Sequence, residues 1–274
     1  MTSPSEWLLE ATPPPPTARI AYGPLPLQFG ELRVPEGQGP HPLAIALHGG
    51  FWKMRYDLTH LGHACEALRQ AGLATFSVEY RRVGDEGGGY PGTLEDVALA
   101  VDALPRLAAH GVAVDRVLVF GHSAGGQLAL WLAGELRRRR GAGSPLAAVV
   151  SLAGVTDLVR GSVLKLSVNA VDTFMAGTPE RRPEAFALAS PIARLPIRVR
   201  QFLIHGEDDD TVPCAFSVDY VERARALGDD AVLTALPHTG HLDLVDPRSA
   251  AWPRVSNVLS RAAQTSEITT ISSR

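Results

Sequence analysis

Ser123 stands in the run Gly121-His122-Ser123-Ala124-Gly125-Gly126, directly after the apolar stretch Val117-Leu118-Val119-Phe120 and ahead of a helical pattern that begins at Gln127. A strand forced to turn sharply into a helix holds its turn residue in a strained backbone conformation, and small neighbours let the two elements approach closely. This context predicts a nucleophile elbow that projects Ser123 outward. The plainer alternative is a glycine-rich turn whose serine merely caps the following helix. A serine hydroxyl is a weak nucleophile until a neighbouring base accepts its proton, so acyl transfer also needs a histidine and an acid that fixes its tautomer. The sequence offers both downstream. Residues 201–204 read as a short strand, followed by His205-Gly206-Glu207-Asp208-Asp209-Asp210-Thr211-Val212-Pro213, where three adjacent aspartates have comparable claims against a solvated loop or a helix cap. Residues 231–236 read as another strand, and the loop Pro237-His238-Thr239-Gly240-His241-Leu242-Asp243 then supplies two histidines, either of which can be the base.

The order serine, acid, histidine is that of α/β-hydrolases and differs from the orders of chymotrypsin-type and subtilisin-type enzymes. From about Leu43 onward the chain resembles the α/β-hydrolase superfamily, and within it the esterase and kynurenine formamidase (arylformamidase) group. The resemblance is carried by His48-Gly49-Gly50-Phe51-Trp52, similar to an H-G-G-x-W oxyanion motif, by residues 121–125, by residues 205–213 and by Gly240-His241. The family pattern H-G-x-x-D-x-x-V-P selects Asp209, with Asp208 and Asp210 as fallbacks, and its G-H motif selects His241 over His238. A developing oxyanion needs preorganised donors. One is expected from the N–H of Ala124, just after the nucleophile, and another from the loop that follows the strand over residues 43–47. The resemblance places the latter at Gly50 and Phe51, with His48 bracing the loop. Phe51 and Trp52 could wall an acyl or aryl pocket, although core filling would look identical in sequence, and His122 is a further candidate for the pocket. The implied substrate is a small ester or activated amide, such as N-formylkynurenine, and a general carboxylesterase is the alternative. A non-catalytic ligand-binding protein on this fold would be expected to lack a triad member.

These residues need a scaffold, and length and composition permit one. At 274 residues, 45% hydrophobic and 20% charged, the chain can bury the core of a single α/β domain. Strand patterns at residues 43–47, 73–79, 116–120, 146–152, 201–204 and 231–236 alternate with helical patterns at 58–71, 94–109, 127–138 and 214–226. This implies an α/β fold whose mainly parallel sheet carries helices on both faces and gathers active groups at the strands' carboxyl ends. Residues 25–34 are expected to add one or two antiparallel edge strands. Residues 161–191 interrupt the alternation at the place where the α/β-hydrolases that the chain resembles commonly insert a cap, so the resemblance implies a small cap there that could set substrate size. The expected organisation is a proline-rich, flexible or extended arm over residues 1–18, the hydrolase domain over 19–263 and a polar tail over 264–274.

Other function classes are disfavoured. A net charge of −3 and a pI near 6.3 give no electrostatic footprint for nucleic acid. The basic run Arg137-Arg138-Arg139-Arg140 fits a solvated helix end that complements the helix dipole. Cys65 and Cys214 are too few for a disulfide framework, which suits a reducing compartment. No signal peptide is evident, and no apolar run reaches the roughly 18 residues of a membrane span, so a cytoplasmic protein is expected, with a homodimer as one possible assembly. His60 and His63 lie three apart without an H-E-x-x-H motif or an evident third ligand, so neither metal nor cofactor is expected. Gly87-Gly88-Gly89 lacks the rest of a phosphate-loop pattern and reads as structural, and Asp157 reads as a helix cap.

Overall fold

The computed structural model describes residues 4–264. Eight strands form one sheet in the order β1-β2-β4-β3-β5-β6-β7-β8, where β1 is Ala18–Ala21, β2 Phe29–Arg33, β3 His41–Leu47, β4 Ala74–Val78, β5 Val112–His122, β6 Leu146–Leu152, β7 Arg200–Gly206 and β8 Ala231–Leu236. The β1–β2 and β2–β4 pairings are antiparallel, and every other pairing is parallel. Parallel strands need crossovers, and here these are helical: α1 (Gly62–Gln70), α2 (Gly92–Ala100), the short α3 (Leu104–Leu107), α4 (Ala124–Arg140) and α8 (Ala215–Ala226). Between β6 and β7 lie α5 (Leu158–Val163), α6 (Leu166–Met175) and α7 (Pro183–Ala189), and α9 (Trp252–Gln264) follows β8.

Alternation along the strands explains why the sheet is buried on both faces. In β3, Leu43, Ile45 and Leu47 join one apolar core with residues of α2, α4 and α8, while Ala44 and Ala46 face a second core with α1 and α9. In β5, Val117 and Val119 point to the first core and Leu118 and Phe120 to the second. This period of two, with both sets apolar, is what a doubly covered parallel sheet requires. The fold is that of an α/β-hydrolase, as the chain order of its motifs implies.

Three features depart from expectation. The proline-rich arm is not free. Residues Pro4–Leu9 form a 3₁₀ turn that buries Leu8 completely in the second core, with Ser5 Oγ donating to Asp243 Oδ1 at 2.7 Å and Trp7 Nε1 donating to Asp246 Oδ2 at 2.8 Å. The anticipated helix over 94–109 is broken into α2, α3 and 3₁₀ turns, with Pro105 early in α3. Helix α9 was not anticipated, although its buried Trp252, Val255, Leu259, Ala262 and Ala263 fall on one face. Most of the expected tail, residues 265–274, lies outside the described residues.

Candidate active site

Ser123 sits at the junction of β5 and α4 with φ 58° and ψ −120°, in the left-handed region that non-glycine residues seldom occupy. Its neighbours make this tight turn possible. A Cβ on Gly121 would lie 2.0 Å from Gly125 O, and one on Gly125 would lie 2.0 Å from Leu47 O, so only glycine lets β3, β5 and α4 meet here. Although Ser123 occupies the N-cap position of α4, its side chain makes no capping hydrogen bond. The helix-cap reading therefore fails, and the hydroxyl is left to the cavity that it lines.

Beside it runs the loop after β3. Gly50, Phe51 and Trp52 have consecutive positive φ values of 100°, 50° and 56°, a run that is strained for the two aromatic residues. A Cβ on Gly49 would come within 2.9 Å of His122 O and 3.0 Å of Ser123 Cβ; the loop thus lies directly against Ser123. Ala124 is the first residue of α4, so its N–H belongs to those without an intrahelical acceptor, at the positive end of a 17-residue helix. His48 and Glu79 brace the loop from behind. His48 Nε2 meets Glu79 Oε1 at 3.1 Å and its Nδ1 meets Gly49 O at 2.9 Å, while Tyr80 stacks on the ring and donates to His48 O at 2.7 Å. Burial opposes ionisation of Glu79, but the charges of His48 and Arg82 and the hydrogen bonds from His48 and Tyr80 hold it below the usual carboxylate range.

The candidate acid and base, Asp209 and His241, meet across the sheet's carboxyl edge. Asp209, after β7, accepts from His241 Nδ1 at 2.7 Å through Oδ2, and from the N–H groups of Thr211 and Val212 at 2.9 and 2.8 Å through Oδ1. Buried His205 adds Nε2 at 3.3 Å from Oδ2. Burial alone would raise the Asp209 pKa, yet the hydrogen bonds from His205 and His241 and the charge of His241 pull it well below the carboxylate range. Its neighbours play no such part. Asp210 meets only the Thr211 hydroxyl, and Asp208 lies 3.8 Å from exposed His238. With Nδ1 held by Asp209, the nitrogen of His241 left for chemistry is Nε2. His241 and Ser123 line one cavity of about 320 Å³.

Two predicted pocket residues fare differently. His122 lines the cavity, and its Nε2 donates to His241 O at 3.0 Å, so it also holds the backbone of His241. Burial first, then the electrostatic influence of the neighbouring His241 and His60 rings, pushes its pKa well below the ordinary value, keeping the ring neutral. Trp52 does not line the cavity. Its indole is fully buried, stacks on Phe174 at 4.4 Å and donates to Gln127 Oε1 at 3.1 Å. Phe51, its neighbour in the same strained loop, does reach the cavity wall. The sequence reading missed the other contributors: Glu6 and Leu9 from the arm, Lys53, Arg55 and Tyr56 just past Trp52, and Ser167 from the inserted segment. His60 also lines the cavity, and burial pushes its pKa down to about 4. Only the loop containing Lys53 and Arg55, directly after the H-G-G-x-W motif, carried a signal that could have flagged its members.

Among the described residues, no group of three or more His, Cys, Asp or Glu side chains is arranged to hold a metal ion, and no helix is long and apolar enough to cross a membrane.

Solved structures share this architecture. A truncated carbohydrate esterase from gut microbiota superposes with a TM-score of 0.76 at 20% identity, covering 93% of this chain and 100% of that one. An esterase from Pyrobaculum calidifontis gives 0.75 at 20% identity over 94% and 89% of the two chains. Esterase B from Lactobacillus rhamnosis gives 0.76 at 17% identity over 94% and 90%. Comparison with curated proteins found no match. The family model BD-FAE matches residues 32–223, well over half of the chain, taking in Ser123 and Asp209 and stopping ahead of His241. The chain belongs to the BD-FAE family.

Proposed function

We propose that the protein is a serine hydrolase that cleaves small esters through an acyl-enzyme on Ser123. The observation that carries this reading is a serine held in a strained elbow, capping nothing, in the same cavity as a histidine whose other nitrogen is fixed by a buried carboxylate. Ser123 Oγ attacks the ester carbonyl while His241 Nε2 takes its proton, and Asp209 stabilises the imidazolium. The carbonyl oxygen becomes an oxyanion facing the N–H of Ala124 and those of Gly50 and Phe51. Collapse breaks the bond to the alcohol, which leaves with the proton from His241. Water, deprotonated by the same histidine, then attacks the acyl-enzyme, and a second collapse returns the proton to Ser123 and frees the acid. The esterases that share the fold support this class of reaction.

A narrower reading is arylformamidase activity, in which Ser123 attacks a formyl carbon and an aryl amine leaves. The Phe51 and Tyr56 side chains in the cavity wall favour it, since aromatic rings of a small aryl group pack well against them. Side-by-side hydrolysis of p-nitrophenyl acetate and N-formylkynurenine tests both readings. The ester reading predicts turnover of the acetate that falls by about 10⁴-fold or more in Ser123→Ala. A higher kcat/KM for the formamide, lost in the same variant, would move the assignment to arylformamidase. Turnover that survives in the variant would remove Ser123 from the mechanism.

A further inference from the structure

The cavity around Ser123 carries charge that the hydrolytic steps do not use. Lys53 Nζ donates to Ser167 O and Ser167 Oγ, both at 2.9 Å and both neutral acceptors. The exposed Arg55 guanidinium lies 5.4 Å from the centre of the Tyr56 ring. Neither cation has a carboxylate partner among the described residues. Glu6, brought in by the docked arm, is the sole carboxylate in the lining, because Asp209 lies behind His241 and is committed to it. His60 and His122 are held neutral by burial near neutral pH and add no charge. The site of a chain with net charge −3 therefore has two cations without a carboxylate partner in its lining, set against one anion.

Resting on the reading of Ser123 as an acyl-enzyme nucleophile, we propose that this site takes esters that also bear a carboxylate, which Lys53 and Arg55 attract and Glu6, the carboxylate of the same lining, repels. A neutral ester would leave both cations facing water and lose their attraction, whereas a carboxylate gains it in a partly enclosed site where charges are less screened than on open surface. The carboxylate can sit on the acyl or on the alcohol portion, and the two arms of the test separate these. One arm compares p-nitrophenyl hemiglutarate with p-nitrophenyl valerate. The other compares 4-acetoxybenzoate with its methyl ester.

Each arm yields a ratio of kcat/KM, anionic over neutral, and comparing that ratio between wild type and variants cancels differences in leaving group. In the arm that matches the true substrate, Arg55→Met is expected to lower the ratio by about two- to fivefold, mainly through KM, as expected for an exposed ion pair. Lys53→Met should act in the same direction. Because that change also releases Ser167, Arg55→Met, on an exposed side chain, is the cleaner probe. Glu6→Gln should raise the ratio, and added salt should flatten all of these differences. The opposite signs of the Arg55 and Glu6 effects are what a merely structural role would not produce. Ratios that are equal in wild type, Arg55→Met and Glu6→Gln in both arms would overturn the proposal. The reading of Ser123 would still stand so long as neutral-ester turnover disappears in Ser123→Ala, and it would fall separately if that turnover persisted.

Discussion

His241 is held on two sides, by Asp209 at Nδ1 and by His122 at its carbonyl oxygen. The first contact sets the tautomer and the second sets the backbone, so the ring has little freedom to turn within the cavity that His241 and Ser123 both line. Asp209→Asn keeps the shape of the site but replaces an acceptor by an amide, which favours the wrong tautomer. It should lower kcat on a short-chain ester by about 10⁴-fold with little change in the unfolding midpoint; a drop of less than about tenfold would show that Asp209 is not the orienting acid. Residue types and chain order were enough to single out Ser123 and the two histidines of the loop after the last strand as candidates, because acyl transfer demands a nucleophile and a base in known contexts, but preferring His241 to His238 required the resemblance. Choosing Asp209 over Asp208 and Asp210 required the resemblance, since nothing intrinsic separates three adjacent aspartates until their backbone decides which carboxylate turns inward. Side-chain direction was equally hidden for the aromatic pair. Phe51 and Trp52 occupy one strained turn, yet the first faces the cavity and the second fills the core.

At the level of elements, the site depends on three backbones meeting at the elbow. Gly125→Ala would place a methyl group 2.0 Å from Leu47 O, a backbone atom of β3 that cannot move without dragging the loop through Gly50 and Phe51 along. We expect a loss of about 1–3 kcal/mol in urea unfolding, together with a fall in kcat, because the strand that shifts carries Gly50 and Phe51. Retention of wild-type stability and turnover would mean that the close approach has slack. The parallel strands were legible because apolar runs separated by helical patterns admit few other arrangements. Strand β1 lies ahead of residues 25–34, where the edge was expected, and it pairs along only four residues, Ala18–Ala21. Helix α6 conceals left-handed φ values at Ser167, Val168 and Asn169, a local geometry that periodicity does not report and that delivers Ser167 to the site.

Across the whole molecule, long-range polar contacts tie peripheral segments to the scaffold. Glu135 of α4 accepts from Arg138, Arg139 and Arg194, the last belonging to the 3₁₀ turn Pro191–Arg194 that leads toward β7. Burial would raise its pKa, but these three hydrogen bonds outweigh that and lower it from 4.5 to about 2. A carboxylate depressed on folding contributes stability that is fully present above its unfolded pKa of 4.5 and is lost as pH falls toward about 2. Because the Arg138 and Arg139 side chains are 66% and 55% exposed, solvent screening reduces the contribution to about 1–2 kcal/mol. Glu135→Gln should cost that much in urea at neutral pH, and the difference from wild type should shrink steadily below pH 4.5; a gap independent of pH would refute the ionic account. The arm shows the limit of composition as a guide. Four consecutive prolines read as an extended tether, yet Trp7 and Leu8 just ahead of them dock it, with the Trp7 ring under Arg248 at 3.3 Å and beside His63 at 4.6 Å. The central claim, a covalent acyl-enzyme on Ser123, can be read from the mass of the intact protein. After treatment with a p-nitrophenyl alkylphosphonate, which forms a stable phosphonyl ester on an activated serine, the account predicts one adduct per chain, located in the peptide containing Ser123 and absent from Ser123→Ala. An adduct at another residue, or an equal adduct in the variant, would contradict it.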